Sequence, residues 1–163
     1  MTIRKGTGLD TNRCVELWVA ACATRDGVAV AGVADRARPK FEHPEAWLVV
    51  ERGGPRVAGF ALATPPGSGM TSDPTGAVVL SLLAVDPCDQ GSGLGRQLLD
   101  AITSTLAERG YTQAVLHALA ENVAAVRLYQ TSGWRSDGAT FYHALLRRPM
   151  QTFVRDIAEA DPA

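Results

Sequence analysis

Long apolar runs are missing from this chain, and none of its stretches is long enough to cross a bilayer. The opening residues, Met1-Thr2-Ile3-Arg4-Lys5-Gly6, lack the apolar core of a secretory leader, so a cytoplasmic setting is expected. Cysteine is scarce. Cys14, Cys22 and Cys88 are odd in number and have no metal-type spacing, which argues against a disulfide framework and predicts no metal site. Charge of one sign is not in surplus either. Sixteen Lys and Arg stand against 17 Asp and Glu, for a net charge of −1. That excludes the basic field that draws nucleic acid or an anionic membrane. Repeats, low-complexity segments and linkers are absent, so residues 1–163 read as one domain.

What is present is a globular composition, 46% hydrophobic and 20% charged. The most informative stretch runs from Leu80 to Asp100. Leu80 to Val85 is a short apolar run ending at Asp86-Pro87 and reads as a buried strand. Leu94, Leu98, Ala101, Ile102 and Leu106 keep helical spacing. Between them lie Gln90, Gly91, Ser92, Gly93 and Gly95. A strand therefore hands over through glycines to a helix start, where unpaired N–H groups favour an anion. A Walker loop requires Lys after its last glycine, and Arg96 and Gln97 follow Gly95 instead. A dinucleotide fingerprint requires a third glycine where Arg96 stands.

The rest of the chain supplies a frame for this stretch. A first strand is expected over Thr2 to Lys5, then a helix from Thr11 to about Thr24 with Asp10 as its N-cap. Cys14, Leu17, Trp18, Ala21 and Cys22 mark the apolar face of that helix. A short helix follows around Val30 to Arg38. Trp47 to Glu51 and Arg56 to Ala63, around Arg52-Gly53-Gly54-Pro55, predict an antiparallel hairpin. A long loop from Thr64 to Gly76 leads into the central strand. Val115 to Ala118 predicts another strand, and Asn122 opens a helix through about Thr131 that stops at Gly133. Further strands are expected near Trp134-Arg135 and from Ala139 to Leu146, with Gln151 to Glu159 as a terminal helix or frayed end.

Two motifs carry a resemblance. The spacing Gln-x-x-Gly-x-Gly, from Gln90 to Gly95 after a strand ending Leu83-Ala84-Val85, resembles the acyl-coenzyme A loop of the GCN5-related N-acetyltransferase (GNAT) family. Asn122, Ala125, Tyr129 and Gly133-Trp134 resemble that family's second block, and they follow the loop at the family's separation. The resemblance is clear from Val78 to Trp134 and agrees in layout from Thr2 to Ala63. It implies an α+β fold, a three-layer α/β sandwich. Its mixed, mostly antiparallel sheet would splay in a V between two central strands, with helices on both faces.

The resemblance also implies a reaction and a site. Acetyl-CoA would be the cosubstrate, and its acetyl group would pass directly to a primary amine of a small molecule or peptide. Backbone groups of Leu83 and Val85 would meet the pantetheine arm. Gln90, Gly91, Ser92, Gly93, Gly95 and Arg96 would wrap the pyrophosphate. Asn122 would hold an amide of the arm, and Tyr129 would bind near the sulfur and donate to the leaving thiolate. The central strand has no carboxylate to serve as base. Ser81 is its only polar side chain, with His117, Asp73, Glu51 and His43 in reserve. A water path needs none of them, and a non-catalytic acyl-coenzyme A-binding module is the alternative reading. Many relatives dimerise, which points to the C-terminal strands or tail as the surface for a homodimer.

Overall fold

A computed structural model describes residues 1–157. The strands are β1 (Thr2–Lys5), β2 (Ala46–Glu51), β3 (Val57–Thr64), β4 (Val78–Val85), β5 (Gln113–Leu119), β6 (Arg135–Tyr142) and β7 (Pro149–Asp156). The helices are α1 (Thr11–Asp26), α2 (Val33–Ala37), α3 (Leu94–Glu108) and α4 (Val123–Thr131). The strands form one sheet in the order β1-β2-β3-β4-β5-β7-β6, antiparallel at every junction except β4 with β5. Among the described residues no helix is long and apolar enough to cross a membrane.

Strand sequences explain the layers. β3 is buried along its whole length, so both of its faces must be covered. On one face α1 sets Cys14, Val15 and Leu17 against Trp47, Val49, Phe60 and Leu62. On the other, α3 sets Leu94, Leu98, Ile102 and Leu106 against Leu48, Val50, Ala61 and Val78. Cys14 and Cys22 are buried, as small core residues would be. Gly59 lets α3 come close. A Cβ there would lie 2.9 Å from the Ala84 carbonyl oxygen and 3.1 Å from Leu98 Cδ1.

Three local expectations change. Asp10 precedes α1, yet its side chain does not cap that helix. Its carboxylate instead accepts two bonds from Arg4, at 2.8 and 2.9 Å, and one from the Thr7 amide at 2.9 Å. The paired guanidinium outcompetes a cap amide, because bidentate charged bonds are the stronger kind. Strand β6 runs unbroken from Arg135 and stops at Tyr142, with its register shifting between Ser136 and Thr140. Most of the terminal helix expected over Gln151 to Glu159 is strand β7, which lies between β5 and β6. Burial of Thr152, Phe153 and Val154 inside the sheet overrides the weak local pattern. Residues 158–163 fall outside the described residues.

Candidate active site

The site begins with a fault in strand pairing. β4 and β5 pair at only two positions, Val78 with Ala114 and Val79 with Val115. Beyond them β4 stays with β3 as far as Val85 opposite Gly59, and β5 stays with β7 as far as Leu119 opposite Met150. The two central strands therefore part into a V. The cause is local to β4. Leu62 faces Leu82 but Ala63 faces Leu80, so Ser81 is an extra residue, a β-bulge. A bulge bends its strand and sharpens its twist. β4 leaves its neighbour just as the bulge begins.

The parting leaves backbone groups open. The Asp86 amide donates to the Ala58 carbonyl at 2.7 Å, which fixes the alternation along β4. Ala84 and Leu82 then turn their groups to β3, and Leu83 and Val85 turn theirs into the V. The Val85 carbonyl accepts a bond from Gln90 Nε2 at 3.3 Å. Buried amides need partners, so an open edge at the centre of a sheet is a ready site for an extended ligand.

The glycine loop lies at the end of that edge. Gly91 and Gly93 have φ of 80° and 86°, and Gly93 is the N-cap of α3. Only glycine takes such angles without strain. Ser92 is tied back to the Asp89 carbonyl by its hydroxyl. Among the described residues the amides from Gly91 to Arg96 have no protein acceptor outside the helix, and the first helical bond comes from Gln97. Gly95 faces Val85 and Leu128. Acidic residues before the loop are already matched. Asp86 pairs with Arg13 and Arg56 at 3.0 and 3.1 Å, and Asp89 with Arg56 at 2.6 Å. The loop is thus free of uncompensated negative charge.

Arg96 lies with the loop, but its side chain turns away to α4. It donates to Thr131 Oγ1 at 2.5 Å and to Ser132 Oγ at 3.2 Å. Asn122 is the N-cap of α4, and its side-chain oxygen accepts from the Ala125 amide at 3.3 Å. That bond uses the oxygen and leaves the amide nitrogen as the free donor. Tyr129 lies two turns further along the same helix, about 10 Å on. Its ring packs on Trp134 and Phe153, with centroids 6.3 and 6.0 Å away. Its hydroxyl has no protein partner among the described residues, and burial alone pushes its pKa up to about 12.

The reserve bases separate. Glu51 is bonded to Arg4 at 2.8 Å on the far edge of the sheet, and His43 is exposed in its loop. The Ser81 hydroxyl joins a chain with Thr64 and Ser68, at 2.5 and 2.7 Å. Asp73 and His117 come together. The buried Asp73 carboxylate lies 3.0 Å from His117 Nε2, and Thr152 Oγ1 holds Nδ1 at 2.9 Å. A carboxylate is only an acceptor, so Nε2 carries a proton. Both ring nitrogens are engaged, which makes this pair a strap holding the Thr64–Gly76 loop to β5. Nothing in the sequence pairs two residues 44 positions apart. No group of three or more metal-ligating side chains exists among the described residues.

This architecture has known counterparts. The chain resembles the ribosomal-protein-S18-alanine N-acetyltransferase from Escherichia coli, with a TM-score of 0.73 at 22% identity over 99% of this chain and 96% of that one. It also resembles yncA from Salmonella typhimurium, solved with its cofactor acetyl-CoA, with a TM-score of 0.72 at 22% identity over 100% and 97% of the two chains. At such identities the likeness speaks for the fold. In sequence, mycothiol acetyltransferase from Thermobifida fusca is 38% identical over 105 residues, 61% of this chain and 32% of that protein. The same-named protein from Catenulispora acidiphila is 29% identical over 85% of this chain and 44% of its own length. This chain thus spans less than half of either relative. The sequence model of the acetyltransferase (GNAT) family matches residues 14–134. Sheet order, V-shaped parting and family match agree, and the chain belongs to the GNAT acetyltransferase family.

Proposed function

We propose that this chain is an acetyl-CoA-dependent N-acetyltransferase acting on a primary amine. One observation carries the reading: an open edge of the central strand ends in a run of amides without protein acceptors. A thin, polar, phosphorylated ligand suits that edge and that loop. Family membership supports the reading, as does the acetyl-CoA found with yncA, a protein of the same fold.

Bound acetyl-CoA would supply an acetyl thioester, and the amine would take its acetyl group directly. The groups of this chain then divide the work. Leu83 and Val85 offer backbone groups to the pantetheine arm. The amides of Gly91, Ser92, Gly93, Gly95 and Arg96 receive the pyrophosphate, and Asn122 Nδ2 donates to a carbonyl of the arm. Gln90 holds the end of β4 through the Val85 carbonyl. The Arg96 guanidinium braces α3 against α4, a different task from the direct phosphate contact that its position suggests.

Tyr129 supports the leaving group. A phenol near pKa 12 is protonated at every physiological pH, so the donor is always loaded. Complete transfer to a thiolate is uphill, because the thiol is the stronger acid of the two. Its contribution is therefore a hydrogen bond to developing negative charge. Only a neutral amine attacks, and the proton it sheds leaves through water, because the central strand has no base.

Calorimetric titration with coenzyme A tests the binding half, and release of free coenzyme A thiol against an amine panel tests the transfer half. Tight binding together with amine-dependent thiol release is the expected result. Binding without release from any amine would leave a non-catalytic acyl-coenzyme A module. Absence of binding would remove the loop and the V from the site.

A further inference from the structure

Glycine loosens the loop between β4 and α3, so something else must hold it. A Cβ built at Gly91 or at Gly93 meets no other atom within 4 Å, so no packing presses on the loop at those positions. A loose segment has to be ordered when a ligand binds, and that ordering weakens affinity unless it is done beforehand. Two side chains tie this loop down. Gln90 Nε2 donates to the Val85 carbonyl at 3.3 Å, and the Ser92 hydroxyl donates to the Asp89 carbonyl. Ser92 stands between the two glycines, so the Asp89 carbonyl anchors the middle of the loop.

Asp89 is itself held from β3. The antiparallel register sets Gly59 opposite Val85, so the residues before Gly59 run beside those after Val85. Arg56, just ahead of β3, thereby meets both acidic residues at the entry to the loop. Its Nη1 donates to Asp86 Oδ2 at 3.1 Å and its Nη2 to Asp89 Oδ2 at 2.6 Å. A planar guanidinium spanning two carboxylates fixes their spacing, which a point charge does not. Its own backbone is fixed as well, because the Arg56 carbonyl accepts from the Arg52 amide at 3.0 Å across the hairpin turn. The neighbouring arginines do less for Asp89. Arg13 reaches Asp86 at 3.0 Å, and Arg52 stands 3.6 Å from Asp89. Without Arg56, Asp86 keeps a close partner and Asp89 keeps only the longer contact.

We propose that Arg56 is a positioning residue for the anion-receiving loop. Arg56 holds Asp89, Asp89 holds Ser92, and Ser92 sets the amides of Gly91 and Gly93 before any ligand arrives. The coenzyme A reading supplies the use of this order, while the order itself belongs to the free protein. Charge neutralisation is a different account. On that account Arg56 matters only because a bare Asp89 carboxylate repels a pyrophosphate.

The test begins without ligand. Amide resonances of Gly91, Ser92 and Gly93 are followed by NMR in the parent and in Arg56→Gln. They should shift or broaden and their order parameters should fall. The melting temperature should stay within about 3 °C of the parent, since exposed ion pairs add little to global stability. Unchanged resonances and order parameters would overturn the proposal, whatever becomes of affinity. A parent that binds no coenzyme A would remove the acetyl-transfer reading and leave this readout standing.

Calorimetry with coenzyme A then separates positioning from charge. Arg56→Gln should bind at least about tenfold more weakly. Arg56→Lys should recover only part of the loss, because an ammonium restores the charge and not the fork. Joining Arg56→Gln to Asp89→Asn removes the bare carboxylate, and affinity should remain low. Full recovery in that double variant would reduce Arg56 to a counter-charge and overturn positioning. A loss that vanishes with dephospho-coenzyme A would make Arg56 a direct phosphate contact, which overturns it equally. Ser92→Ala should weaken binding too, and adding Arg56→Gln to it should cost little more, because the two act in one chain. Fully additive losses would break that chain. Arg135→Gln, which removes an exposed pair with Asp156 at 3.2 Å, should bind like the parent. An equal loss there would show a general response to lost positive charge and overturn the assignment to Arg56.

Discussion

The two arms of the V are covered to different depths. The first arm, β1 to β4, is an unbroken antiparallel sheet gripped between α1 and α3, and α3 alone buries Leu94, Leu98, Leu99, Ile102, Thr103 and Leu106. The second arm, β5, β7 and β6, carries α4, in which no residue is fully buried, and β6 is mostly exposed. Ala114, Leu116, Ala118, Trp134, Phe153 and Ile157 join the α3 core from this arm. Its other ties to the first arm include polar ones: Arg148 on Asp26, His117 on Asp73, and Arg96 on Thr131. Both arms therefore share one apolar core, and what sets the second apart is that α4 and β6 lie at its rim, where polar ties add to the packing.

Truncating one leucine on each arm tests this most forcefully. Leu98 is fully buried, and Leu98→Ala should cost about 2–5 kcal/mol in urea unfolding. Leu128 on α4 is only partly buried, and Leu128→Ala should cost well under half as much. Equal losses would show that α4 belongs to the core and that the arms do not differ.

The same division governs what the sequence displays. Strands of the first arm are apolar runs or follow clear turns, so β2, β3, β4 and the α3 face were legible from Trp47 to Leu106. The glycine loop and Asn122–Tyr129 were legible because their spacing is local. β7 was not, because Gln151, Thr152 and Arg155 interrupt its apolar residues and its burial comes from β5 and β6 on either side. The Asp73–His117 strap and the brace of Arg96 on α4 are meetings of distant segments. No local pattern encodes them. The bulge at Ser81 is equally silent, because one extra residue in an apolar run changes no period until its partner strand is known.

Tyr129 belongs to the second arm and should matter in the transition state. Tyr129→Phe keeps the ring on Trp134 and Phe153 and removes only the hydroxyl. Turnover should fall by about 10–100-fold, or roughly 1.4–2.7 kcal/mol of barrier, with coenzyme A affinity little changed. With its pKa raised to about 12, Tyr129 should add no basic limb to the turnover profile below about pH 9. A collapse in affinity with turnover intact would make it a binding residue instead.

Acid should loosen the tie between the arms at Asp26. Arg25 first, then Arg148, hold its carboxyl down to about 2, from an ordinary value of 3.8. A depressed carboxyl contributes stability above its unfolded pKa and loses it as pH falls through the folded one. The window therefore lies between about pH 4 and pH 2, and the whole contribution is on the order of 2 kcal/mol. Arg148→Gln leaves Arg25 in place and should remove only part of it. Urea midpoints at pH 6 and pH 3 measure both. If the variant and the parent lose stability equally over that range, Arg148 adds nothing to the tie.

The smallest change should be the most selective. Gly95 lies in the first turn of α3, where its φ is not left-handed, unlike Gly91 and Gly93. A Cβ there would meet Leu128 Cδ2 at 3.5 Å and Val85 Cγ2 at 3.9 Å, ordinary contact distances. Gly95→Ala is therefore tolerated by the protein itself, and helix propensity would even favour it by up to about 1 kcal/mol. Gly59→Ala is the opposite case, because its Cβ would strike the Ala84 carbonyl at 2.9 Å. A glycine that the fold does not need points to something outside the fold. If a pyrophosphate approaches the first turn of α3, the added methyl blocks it. Gly95→Ala should then melt at or above the parent temperature while binding coenzyme A at least about tenfold more weakly, near 1.4 kcal/mol. Unchanged affinity in the stable variant would move the close approach to Gly91 and Gly93, where backbone angle and not ligand space already demands glycine.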